Sequence, residues 1–254
     1  DIEIRREAML LLGSLVTIMR GRERMNKHTY DGLANMLFDE YLEARVNCAW
    51  TISRVAMSRD GVDLFVKHQT IAAAIDSFLK YTETLKDEEG KFYVYLLETF
   101  SYFLQFDSGI EFFIGKGILR RVNDILERKD DLSLKEYKRR IQYLCLEFTM
   151  KFTTNHEGKE EGIQEKVILT ASKYLMSDCF EEVKFAAMVI MTCSILLEGK
   201  MQCVENPNDK IIKDLITLLD RDNQDLRRYV KDALLAICEY PQGALLITKY
   251  LSKH

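Results

Sequence analysis

Apolar residues recur along this chain at intervals of three and four, the spacing that lines one face of an α-helix, and no stretch keeps the two-residue alternation of a half-buried strand. Six glycines punctuate the pattern, each closing a long apolar helix and opening a shorter segment: Gly21, Gly61, Gly109, Gly158, Gly199 and Gly243. They lie 40, 48, 49, 41 and 44 residues apart. A period of that size is the mark of stacked helical repeats. With only two prolines and twelve glycines to interrupt them, long helices can run with few enforced breaks.

Each rung repeats a chemistry as well as a length. Ahead of the glycine, a long helix opens with acids and then a base, at 3–7, 43–45, 87–91, 135–140, 181–184 and 225–228. Carboxylates there suit the positive end of the helix dipole. After the glycine come shorter apolar segments that end in an acidic turn, such as "LANMLFDE" (33–40) and "IIKDLITLLD" (211–220). Short helix, short helix, long helix is the order of an armadillo unit. One such unit leaves its apolar flank open to water, and stacking on the next covers it.

The expectation is therefore an all-α, armadillo/HEAT-type right-handed α-solenoid of about five to six repeats. It occupies residues 1–254 as a single domain, with an incomplete first repeat and a C-terminal cap over about 241–254. The charged stretches 82–91 and 127–136 lengthen two of the repeats and are read as loops. The chain opens inside a helical pattern without an initiator Met, so further residues are expected upstream.

A net charge of −4 gives no global pull toward nucleic acid or anionic lipid. The longest apolar run, Phe185 to Leu197, falls short of the about 20 residues that a membrane span needs. The six cysteines form no CxxC pair and mostly sit in apolar stretches, the pattern of a reducing compartment. "GIEFFIGKG" (109–117) puts five residues between its first two glycines and a glycine after the lysine, so it misses the phosphate-loop spacing; Lys116 reads as a turn residue. The four histidines are scattered, "HEG" at 156–158 lacks a second histidine, and the acid pairs follow repeat boundaries. No enzyme, cofactor, metal site or small-molecule substrate is expected.

The third helix of an armadillo unit is expected to present the residues that read a ligand. On the helix after "EGK", Val94, Glu98, Ser101 and Gln105 share one side, bordered by Tyr95 and Tyr102. Nine aromatics crowd residues 92–113, most of them expected in the core and some at a binding surface. In "EARVNCAWTISRVAM" (43–57), Asn47, Thr51, Arg54 and Ser58 share a face with Trp50 beside them. Lys135, Lys138, Arg139 and Arg140, with Arg120 and Arg121, make a local basic patch suited to an acidic partner. The alternative is that these bases pair with Glu136 and Glu147 or stay solvated. The candidate partner-binding residues are thus Asn47, Trp50, Arg54, Tyr95, Glu98, Tyr102, Gln105, Lys138, Arg139 and Arg140.

Two resemblances bear on what is bound. "CAWTISR" is similar to the peptide-reading helix of the nuclear import receptors, which pair a Trp with an Asn one turn later and repeat the pair across units to clamp a basic peptide. Here the position one turn after Trp50 is Arg54 and no other Trp exists. A guanidinium in the amide's place repels a basic ligand, so Trp50 is expected to pack, with Arg54 stacked on it. "VKFAAMVIMTCSILLEGKMQCVE", "IIKDLITLLD", "LRRYVKDALLAICEYPQGALLI" and "RVNCAWTISRVAMSRDGVDLFVKHQTI" resemble repeats of the armadillo-type radial spoke head proteins of motile cilia, the kind numbered fourteen. The aromatic helix 92–106 and the loop 82–91 depart from that pattern.

What the second resemblance implies is a non-catalytic scaffold subunit in the spoke that links the outer doublet microtubule to the central apparatus. Its partners are then other protein subunits of a large assembly, with no nucleic acid and no membrane, and its place is the cytoplasm and the axoneme of a cilium or flagellum. Two alternatives stay open: a soluble cytoplasmic adaptor or transport receptor holding an extended peptide in a concave groove, and a regulatory subunit of an enzyme complex.

Overall fold

A computed structural model describes residues 1–82, 86–128 and 137–252. The chain opens with α1 (Ile2–Val16), and three-helix layers follow: α2 (Met19–Glu23), α3 (Lys27–Met36) and α4 (Leu42–Ala56); α5 (Arg59–Lys67), α6 (Thr70–Tyr81) and α7 (Gly90–Phe103). Then come α8 (Asp107–Ile110), α9 (Ile118–Glu127) and α10 (Lys138–Phe152); α11 (His156–Gln164), α12 (Val167–Ser172) and α13 (Phe180–Cys193); α14 (Leu197–Val204), α15 (Lys210–Leu218) and α16 (Gln224–Cys238), closed by α17 (Pro241–Leu251). Among the described residues there is no strand. The order short, short, long read from the sequence holds in five complete layers.

The glycines do not end the long helices. In all six corners the glycine is the third residue of the following short helix. A Cβ added there would fall 1.9 to 2.3 Å from the carbonyl oxygen six residues back, the last turn of the long helix. None of the six has a positive φ, so the requirement is close approach of two backbones rather than an unusual conformation. Side-chain caps support some corners: Ser58 Oγ accepts from Gly61 N at 3.2 Å, and Asn155 Oδ1 from Glu157 N at 2.9 Å.

A second recurring device starts the middle helix. Gln69, Lys166 and Asp209 hold left-handed φ values of 56°, 57° and 54° directly before α6, α12 and α15. Before α9 the same task falls to Gly117 at φ 75°, which, with Gly115 at 68°, explains the glycines of "GKG" as turn residues on either side of Lys116. Glycine occupies that region without the roughly 1–2 kcal/mol an L side chain costs there.

The chain divides into two compact units; the first takes Asp1–Arg121 and the start of α10 as far as Leu144, the second the rest of α9 and the chain from Cys145 onward. In the first unit α4 packs between α1 and α7. Its core is rich in rings: Phe65, Phe78, Phe92, Tyr93, Phe100, Phe103 and Phe113 are wholly buried, with Phe100 and Phe113 centroids 5.3 Å apart. Each such ring contributes about 1.5–3 kcal/mol by leaving water. Of the nine aromatics, Tyr95, Tyr102, Phe106 and Phe112 keep partial exposure.

The base that opens a long helix clamps the acidic turn of the next layer. Arg5 Nη1 lies 2.7 Å from Asp39 Oδ2, and Arg45 Nη2 lies 2.6 Å from Glu89 Oε1. The second pair is buried, with Arg45 7% and Glu89 3% exposed. Arg45 Nη1 also donates to Asp39 O at 3.0 Å and its guanidinium lies over Tyr81 at 4.3 Å; Tyr93 Oη donates to Glu89 Oε2 at 2.5 Å. Burial first, and then Glu89, raises the Tyr93 pKa, so the phenol keeps its proton and the bond.

The second unit packs α13 against α16 and α12, with α17 on α14, α15 and α16. Side-chain donors reach carbonyls of the neighbouring layer: Asn123 Nδ2 to Glu165 O at 2.9 Å, Gln202 Nε2 to Ile163 O at 2.8 Å, Tyr174 Oη to Leu126 O at 2.8 Å. Helix α17 buries Gly243 and Ile247 and leaves Leu245 exposed. All six cysteines are free thiols, and burial pushes Cys193 up to about 12. The expected acidic helix starts occur in α1, α4, α13 and α16, whereas the first turns of α7 and α10 carry no acid.

Candidate partner-binding face

The long helices α4 and α7 lie side by side in the first unit, followed by the opening turn of α10. Three of the sequence candidates meet there. Glu98 of α7 sits between Arg54 of α4 and Arg140 of α10: Arg54 Nη2 is 3.6 Å from Glu98 Oε2, and Arg140 Nη2 donates to Glu98 Oε1. Arg–Glu–Arg thus runs as a row across three successive long helices. Partial burial of Arg140 opposes its charge, but the bond and charge of Glu98, with the oxygens of Tyr143 and Tyr95, outweigh it and hold the pKa above the ordinary arginine value. The carboxylate serves two cations at once, which leaves the row one positive charge in excess.

The other candidates divide by exposure. Tyr95 and Tyr102 are half-buried beside the row, Gln105 is exposed at the end of α7, and Arg139 is exposed with Lys138 half-buried at the start of α10. The polar stripe expected on α7 is interrupted, because Val94 and Ser101 are buried. Thr51 is buried too; its Oγ1 lies 2.8 Å from Asn47 O and 3.1 Å from Met9 O of α1. These corrections have one cause: a long helix flanked by neighbours on two sides has a narrower free face than periodicity alone assigns it.

Trp50 packs, as its broken Trp–Asn pairing implied. A Cβ at Gly13 of α1 would come within 2.2 Å of the Trp50 ring, so the indole rests on the bare backbone of the neighbouring helix. Arg54 does not stack on it but turns to Glu98. Glu147 takes Lys151 at 2.8 Å, and Arg140 takes Glu98 instead of the acids near it in sequence; Lys135 and Glu136 lie outside the described residues.

Sequence reasoning missed a cleft of about 340 Å³ lined by Thr17, Arg22, Arg54, Met57 and Ser58. Its sequence signal is the arginine that follows a corner glycine, in "MRGRE". A second cleft, about 370 Å³ in the second unit, is lined by Glu160, Ile163, Gln164, Leu196 and Glu198. Among the described residues no three His, Cys, Asp or Glu side chains converge as metal ligands, and no helix is long and apolar enough to cross a membrane.

The chain matches no known protein-family model and no curated protein sequence. Solved structures do match it. A computationally designed armadillo repeat protein for modular peptide recognition has a TM-score of 0.77 at 16% identity, over 93% of this chain and 94% of that one. A designed armadillo repeat protein in complex with the peptide (KR)4 has a TM-score of 0.73 at 16% identity, over 91% and 92%. An engineered protein has a TM-score of 0.77 at 13% identity, over 94% and 92%. The fold is an all-α armadillo-type solenoid.

Proposed function

We propose that this chain is a non-catalytic protein-binding scaffold which holds an extended partner segment along its long helices, using the face that carries Asn47, Trp50, Arg54, Tyr95, Glu98, Tyr102, Gln105, Lys138, Arg139 and Arg140. The observation that carries the proposal is the Arg54–Glu98–Arg140 row, a line of charge crossing three layers with half-buried tyrosines beside it. Aromatic and arginine side chains in that setting are the usual anchors of protein interfaces. The fold supports the reading, since a designed protein that shares it was solved with a peptide bound. The chain then acts as one solenoid domain.

The assembly we propose is the axonemal radial spoke, on the resemblance of the repeats "VKFAAMVIMTCSILLEGKMQCVE" and "LRRYVKDALLAICEYPQGALLI" to the spoke head family. An axonemal subunit resists detergent extraction and leaves with high salt; recovery wholly in the detergent-soluble fraction of ciliated cells removes that assignment. The face has its own test. Tyr102→Ala with Gln105→Arg is expected to weaken recovery of partners at least about tenfold without altering the circular dichroism melt, and undiminished recovery moves the interface elsewhere.

A further inference from the structure

The cleft beside Arg54 lies where α1 turns into α2 and α4 turns into α5, and its lining is chemically one-sided. The hydroxyls of Thr17 and Ser58 already have backbone partners: Thr17 Oγ1 donates to Ser14 O at 2.7 Å, and Ser58 Oγ to Val55 O at 3.2 Å. The unused capacity belongs to two guanidinium groups. Arg22 donates from Nη1 to Val16 O at 2.8 Å and Thr17 O at 3.3 Å, which satisfies carbonyls at the end of α1 and offsets its negative pole. Its Nε and Nη2 have no acceptor among the described residues.

Arg54 is the more telling of the two. Its side chain is only 28% exposed, yet it makes no hydrogen bond among the described residues; the approach to Glu98 is 3.6 Å, too long for one, and Nε is buried without an acceptor. Glu98 Oε2 faces Arg54 but is itself buried without a hydrogen-bond partner, and Oε1 of the same carboxylate is taken by Arg140. One carboxylate facing two guanidinium groups leaves a positive charge uncompensated beside the cleft, and an anion in the cleft would balance it. The surroundings favour an anion: residues 20–24 and 54–60 hold five arginines against two acids in a chain whose net charge is −4.

We infer that this cleft is an oxyanion subsite that receives the carboxylate of an Asp or Glu side chain from an acidic segment of a protein partner, between Arg22 and Arg54, with its aliphatic stem on the exposed Met57. Arginine forks suit planar carboxylates because two parallel N–H groups meet two oxygens. The inference rests on the scaffold reading and adds the chemistry of the partner. Phosphoserine offers a similar acceptor, and the experiment separates the two sources.

The test is fluorescence anisotropy with labelled (DE)4, (KR)4 and a phosphoserine-for-Glu version of (DE)4, against wild type, Arg54→Gln, Arg54→Lys and Arg22→Gln. Arg54→Gln is the informative variant, since its side chain makes no hydrogen bond the fold depends on. The expected result is that (DE)4 binds, (KR)4 does not, and Arg54→Gln loses at least about tenfold in affinity with an unchanged circular dichroism spectrum, while Arg54→Lys keeps part of it. Equal (DE)4 binding by wild type and Arg54→Gln overturns the cleft and leaves the scaffold standing. Preference for (KR)4 does the same. Binding of the phosphoserine peptide alone overturns the carboxylate assignment, and binding of none of the three overturns the subsite.

Discussion

A methyl group added at Gly61 would arrive 2.0 Å from the carbonyl oxygen of Val55, whereas at Gly32, inside α3, it would meet nothing within 4 Å. Both residues are helical, so the same substitution has opposite signs. Gly61→Ala is expected to destabilise the chain by about 2 kcal/mol or more, since backbone must shift, and Gly32→Ala to stabilise it by about 0.5–1 kcal/mol through helix propensity. Urea unfolding followed by circular dichroism reads both. The sequence marked Gly61 by its place in the period, yet attributed it to a helix end; nothing in a linear pattern shows that two backbones touch. Trp50 is a parallel case: its missing partner was visible in Arg54, but its seat on Gly13 needed the neighbouring helix.

At the scale of elements, the acid-then-base openings mark the starts of α1, α4, α13 and α16, and in the first unit they record a contact: Arg5 of α1 and Arg45 of α4 each reach the turn before the next long helix. Arg45 and Glu89 make that contact out of water. Removing one partner leaves the other buried and charged, so Arg45→Ala or Glu89→Ala is expected to cost about 3–5 kcal/mol, seen in the same unfolding assay. Replacing both by Met is expected to cost less than either alanine variant. The polar stripe was less legible, since periodicity gives the face of a lone helix and α7 is flanked; burial of Val94 and Ser101 followed from contacts that spacing does not encode.

Across the whole molecule, layering was legible while the bound partner was not, for one physical reason. Stacking constrains the buried flank of each helix, and proteins that share 13–16% identity with this chain meet the same constraint; the exposed face carries no such demand and varies with what is bound.

The glycine corners carry a last consequence. Only two or three residues separate each long helix from the short one that follows, in every layer, while the two other links of the layer differ from repeat to repeat. Length changes are therefore absorbed away from the pivot, and a foreign loop grafted between α6 and α7 would leave the hinge points untouched. The molecule resembles a chain of fixed elbows joined by adjustable forearms, open to elaboration without loss of alignment.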